Sequence, residues 1–236
     1  MSEFRPQNDT ALFSTPATQA AAQDVERFIP RVYNHVMGAI VLLIALEVWY
    51  FKTDLAYTMA SAMLGVNWLM VLGAFMVVGW LARGAAHRAH SLRTQYLALA
   101  GYVVAESIIL VPMLVIAEYR APGTITSAGL LTLLGFAGLT AIAFRSRRDF
   151  TMYTALLQWA GVLALVAIVG SVVFGMHLGT WFSVLMVGVA GLAILRDTSA
   201  IIHHYPSDRY VAAALELFAS VALMFWYLLR LLSGRR

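Results

Sequence analysis

The chain has no cysteine in its 236 residues, which removes disulfide frameworks, thiolate zinc sites and cysteine nucleophiles from consideration together. Charge is almost as scarce. Only 12% of the residues are charged and 61% are hydrophobic, whereas a soluble globular domain carries about 25% charged residues. Mean hydropathy is +0.78. Lysine occurs once, at Lys52, so the formal net charge of +4 rests on arginine. The arginines cluster between apolar runs, as membrane topology demands, and nucleic acid is not indicated as a partner. Enzyme signatures are missing as well: there is no HExxH, no GxSxG, no phosphate-binding glycine loop and no EF-hand pattern. The expectation is a membrane protein that is not an enzyme and carries no resident cofactor.

What remains is a series of apolar runs. Seven stretches, 32–51, 59–82, 94–117, 124–144, 151–175, 179–202 and 209–232, are each long enough to cross the lipid bilayer as a helix of about 20 residues. The intervals between them carry charges or helix breakers, such as Arg83 to Arg93, Pro122 with Gly123, and Pro206. The expected fold class is all-α, a polytopic seven-transmembrane-helix bundle over residues 29–236. Residues 1–28 are small and polar, without the apolar core of a signal peptide, and read as a flexible cytosolic tail. A short interfacial helix around Asp24 to Arg31 stays open as an alternative.

Orientation follows the arginines. Arg83, Arg88 and Arg93, then Arg145, Arg147 and Arg148, then Arg209 fall in alternate connections, while the other side has only Lys52 and Arg120. Together with Arg5, Arg27 and Arg31, they place the N-terminus in the cytoplasm. Seven crossings then leave Arg230, Arg235 and Arg236 on the far side, against the same rule.

Acids inside the apolar runs are few. A charge at the bilayer centre costs roughly 2.5 to 3.5 kcal/mol on insertion scales, so each such residue needs a reason. Glu47 lies near the end of the first run, where a long side chain snorkels to the interface. Glu106 lies near the middle of the third and cannot. It is either a protonated acid hydrogen-bonded to a neighbouring helix or part of a polar pathway. Asp197 and Glu216 lie on consecutive runs joined by a short connection, each about two turns or less from it. On antiparallel neighbours they reach similar depth, where side-chain contact would make two carboxyls share a proton and act as a pH switch. Ionised, they offer hard oxygen ligands suited to calcium. Arg83 is placed to pair with one of them and hold a gate shut. Arg196, adjacent to Asp197, is not expected to face it. His203 and His204 lack the spacing of a zinc hydrolase and read as surface residues.

The run Arg196-Asp197-Thr198-Ser199-Ala200-Ile201-Ile202, followed by Leu215-Glu216-Leu217-Phe218 and Leu228-Leu229-Arg230-Leu231-Leu232, resembles the C-terminal signature of the Bax inhibitor-1 family, most closely its bacterial YccA-type branch. Arg147-Arg148-Asp149-Phe150-Thr151 is similar to that family's motif opening the fifth span. The resemblance implies a seven-helix bundle with a central last helix, in a bacterial cytoplasmic membrane, forming a pH-sensitive calcium leak. It further implies a proton-sensing pair on the last two helices and a latching arginine near the end of the second. Asp197 matches the first acid, Glu216 stands where the second aspartate is expected, and Arg83 within Gly79-Trp80-Leu81-Ala82-Arg83 matches the arginine. Calcium would be the transported ion, held transiently by Asp197 and Glu216. The chain departs from the pattern in the longer Glu216, in Arg196 where an aromatic is common, and in Glu106 as an additional buried acid. The alternative that the resemblance carries is an interaction protein without transport activity, whose N-terminal tail engages a membrane protease that degrades unassembled proteins.

Overall fold

Helices form over the apolar runs and stop where the chain supplies charge, proline or glycine. The structure, a computed structural model, describes residues 16–88, 91–146 and 148–234, with side chains from Arg27 onward. Its helices are α1 (Pro16–Lys52), α2 (Leu55–Leu64), α3 (Trp68–Arg88), α4 (Leu92–Arg120), α5 (Thr124–Arg145), α6 (Thr154–Val173), α7 (Thr180–His203) and α8 (Tyr210–Ser233). Short 3₁₀ turns at Phe150–Tyr153 and Ser207–Arg209 lead into α6 and α8. Every helix but α2 is long and apolar enough to cross a membrane, giving seven candidate spans. No strand occurs among the described residues.

Two boundaries differ from the sequence reading. The run 59–82 is not one helix, because Gly65-Val66-Asn67 interrupts it. The Gly65 amide closes α2 on the Ser61 carbonyl at 3.1 Å, and Asn67 Oδ1 accepts from the Leu69 amide at 2.9 Å, capping the start of α3. α3 then continues to Arg88, so Arg83 lies within a helix instead of at the edge of a connection. At the other boundary, α1 begins at Pro16, so residues 16–28 are helical where a flexible tail was expected. Phe28 packs with Val32 and Val36 into the core. Residues 1–15, including Arg5 and much of the segment expected to engage a protease, lie outside the described residues, as do Arg147, Arg235 and Arg236.

α8 occupies the centre. It packs against α1, α3, α4, α5 and α7, and it is the most enclosed of the seven spans. Helices in lipid gain little from the hydrophobic effect and depend on close packing and interhelical hydrogen bonds. α8 supplies the first through the buried small residues Ala212, Ala213, Ala214, Ala219 and Ala222, with Leu215, Leu217, Phe218 and Leu229 filling the spaces between. Close approach is clearest at Gly135 of α5, where a β-carbon would meet the Met224 sulfur at 3.1 Å. α6 lies at the periphery. Only Ala164 on it is buried, and Leu156, Trp159, Val162, Leu163 and Val166 face outward, a surface that suits hydrocarbon.

The far-side arginine is accommodated locally. Arg230 Nη2 donates to the Leu178 carbonyl at 3.0 Å, and its guanidinium lies 5.7 Å from the centre of the Phe182 ring. Backbone oxygen and an aromatic face thus receive the charge that the topology places there.

Candidate functional site

Polar residues from α3, α7 and α8 meet near the arginine-rich end of the bundle. Helical register sets them out in pairs: Arg83 and His87 are one turn apart on α3, and Glu216 and Ser220 one turn apart on α8. Arg83 Nε lies 3.2 Å from Glu216 Oε2, and His87 Nε2 lies 3.0 Å from Oε1. On α7, Asp197 Oδ2 accepts from Ser220 Oγ at 2.5 Å, and Oδ1 accepts from Arg196 Nη1 at 2.7 Å.

All four carboxylate oxygens therefore have a separate partner. The expected sharing of a proton between Asp197 and Glu216 is not the arrangement found: no hydrogen bond joins them among the described residues, and each acid has its own cation. Arg196 accounts for part of the difference. Its backbone position points away from Asp197, but the long side chain folds back, donating Nη1 to Asp197 and Nε to Thr154 Oγ1 at 3.2 Å. That contact ties α7 to the start of α6.

From Arg83 the network continues inward. Its guanidinium lies 5.7 Å from the centre of the Tyr102 ring on α4, at cation–π distance. Tyr102 packs edge-on against Phe218, centroids 6.1 Å apart, and Glu106 stands one turn along the same helix. Glu106 is buried at 6% exposure. Glu47 departs from expectation. Neither of its carboxylate oxygens reaches the surface or finds a hydrogen-bond partner among the described residues. Tyr50, one turn from Glu47, is buried and its hydroxyl meets Ser107 Oγ on α4 at 3.2 Å.

Outside the spans, Asp149 organises the α5–α6 connection. Its carboxylate accepts from the Thr151 hydroxyl at 2.7 Å, the Thr151 amide at 2.9 Å and Ser199 Oγ at 3.2 Å, and pairs with His204 Nε2 at 2.7 Å. These donors, the Thr151 hydroxyl foremost, hold the carboxyl well below the usual carboxylate range. The Asp149-Phe150-Thr151 segment thus fastens α6 to the end of α7, within a turn of Asp197. In the α7–α8 connection, burial above all, with the negative Glu216 and Asp197 nearby, pushes the Tyr205 phenol up, and it stays protonated.

A cavity of about 450 Å³ opens between these groups, lined by His87, Arg196, His204, Thr151, Thr154 and Tyr205 among others. Its three basic residues are partners of Glu216, Asp197 and Asp149, so one partner of each acid fronts the same space. No cluster of three or more histidine, aspartate or glutamate side chains gathers as a metal site among the described residues. Sequence reasoning did not single out His87 or Ser220. Both stand four residues from a residue it did select, Arg83 and Glu216, and that spacing was the available signal.

Comparison with known proteins adds two findings. The family model described as Inhibitor of apoptosis-promoting Bax1 matches residues 25–236. The chain is also 25% identical over 206 residues to the Golgi anti-apoptotic protein of Vaccinia virus strain Lister, covering 87% of this chain and 84% of that protein. The proteins of the same description from strains LC16m0 and LC16m8 match to the same extent.

Proposed function

The chain belongs to the Bax inhibitor family of integral membrane proteins, and on that premise we propose that it is a proton-gated cation leak, with calcium as the transported ion. The single observation that carries the reading is the ion pair of Arg83 with Glu216, one helical turn from the Ser220 hydroxyl that holds Asp197. In this conformation the acids are occupied by protein cations and closed to a solute cation. Withdrawal of Arg83 and His87 together frees both Glu216 oxygens, beside the cavity that His87 and Arg196 line. Two ionised carboxylates then offer a hard-oxygen step for calcium. Glu106, linked to Arg83 through Tyr102, is the next acid inward and serves as an accessory step along the path.

Acid closes this gate at Asp197: protonation there removes the charge that attracts the cation, while Arg83 stays paired with Glu216. The test is calcium flux into dye-loaded liposomes containing the purified protein. Flux is expected to fall from neutral pH to mild acid, to rise in Arg83→Gln, and to lose its pH dependence in Asp197→Asn and Glu216→Gln. Flux indifferent to pH and unchanged in the acid variants would refute the reading.

A further inference from the structure

The latch cations have a second face. The Arg83 side chain is 44% exposed and that of His87 41%, so neither is enclosed by its pairing with Glu216. Both line a cleft of about 800 Å³ along the second half of α3, together with Arg88, Thr94, Trp80 and Leu81. No carboxylate lines it among the described residues. Glu216 reaches Arg83 and His87 from α8, and the Arg209 guanidinium adds positive charge behind, donating to the His87 carbonyl.

The cleft is two-natured. At one end stand the cations and the Thr94 hydroxyl, at the terminus of a span. At the other, Trp80 and Leu81 are 69% and 56% exposed and continue a strip of outward apolar residues that includes Met76 and Val77. Trp80 lies about two turns before the end of α3 at Arg88, on the hydrocarbon side of the basic residues. An arginine flanking a span is ordinary in itself. Here two arginines and a histidine border a concave space that is open to lipid along one wall.

We propose that this cleft binds the phosphate of an anionic phospholipid, with acyl chains along Met76, Val77 and Trp80 and the headgroup between Arg83, His87, Arg88 and Thr94. Guanidinium groups bind phosphate through paired, charge-assisted hydrogen bonds, and basic pockets between membrane helices take acidic headgroups. A free phosphate ester satisfies the cations but makes no use of the apolar wall, so the lipid is the better-matched ligand. Arg83 and His87 are shared with Glu216, and a bound headgroup therefore draws the latch outward and opens the gate. The binding stands by itself; only this effect on the gate rests on the leak reading.

Native mass spectrometry of the full chain, incubated with equal amounts of phosphatidylglycerol and phosphatidylcholine, tests the binding. Phosphatidylglycerol is expected to be retained preferentially. Arg88→Gln combined with Thr94→Val, both exposed and outside the latch, is expected to weaken retention about fivefold, the loss for one cation near an anionic surface. Arg145→Gln, at the same end but away from the cleft, should leave it unchanged. Equal retention of the two lipids, or a double variant that retains like the parent, overturns the site. Displacement by excess glycerol 3-phosphate would reassign it to soluble phosphate esters. In liposomes, more phosphatidylglycerol should raise calcium flux in the parent and not in the double variant. Selective retention without that response overturns the coupling alone, and absence of flux in every liposome overturns the leak while leaving the lipid site standing.

Discussion

At the scale of single residues, the site depends on donors as much as on acids. Ser220 is the bond between α8 and Asp197, and Ser220→Ala leaves one oxygen of a buried carboxylate without a donor. The expected cost is about 0.6 to 1.7 kcal/mol, the range for interhelical hydrogen bonds in membranes, read as a lower unfolding temperature in detergent; Ser220→Thr, which keeps the hydroxyl, should recover it. Asp149 gives a pH prediction of definite sign. Its carboxyl is held low in the folded chain, so the stability it contributes is fully present above about pH 4, the ordinary aspartate value, and is lost as pH falls through the folded value. Hydrogen exchange at the Phe150 and Thr151 amides should therefore differ between the parent and Asp149→Asn by a constant factor from neutral pH to mild acid. The difference should shrink only in strong acid. Asp197 and Glu216 stood out in the sequence because charge in an apolar run is expensive, and Arg83 because it closes the second run and matches the family's arginine. Ser220 and Glu47 were not, because serine is cheap in a helix and the enclosure of Glu47 depends on how α1 meets α4.

At the scale of elements, length and breakers carried most of the information. Six of the seven runs became single helices, five of them with both ends close to those expected, while α1 starts 16 residues ahead of its run. The exception, 59–82, was misread because Gly65 and Asn67, which break it, carry no charge, and a glycine there looks no different from Gly73 and Gly79, which stay helical. Packing between elements was less visible, since a span that is apolar all round does not reveal which side meets protein. Gly135 is an instance. Its contact with Met224 brings α5 against α8, and Gly135→Val should cost about 1 to 3 kcal/mol through overpacking, seen as reduced thermal stability. Gly138→Val serves as the control: nothing lies within 4 Å of a β-carbon there.

At the scale of the molecule, seven spans put the connection before α7 and the connection after it on opposite sides. The absence of native cysteine makes this testable without background. Single cysteines introduced as His177→Cys and Ser207→Cys should react with a membrane-impermeant maleimide from different sides, and labelling of both from one side would remove α7 as a crossing. The central position of α8 has a further consequence, in time. Five helices that precede it in the chain pack on it. Until α8 is made, those five lack their common neighbour, and Arg83 emerges long before Glu216 exists to receive it. The bundle closes only once α8 has joined it, and a chain cut before Tyr210 leaves inserted helices with nothing to assemble around.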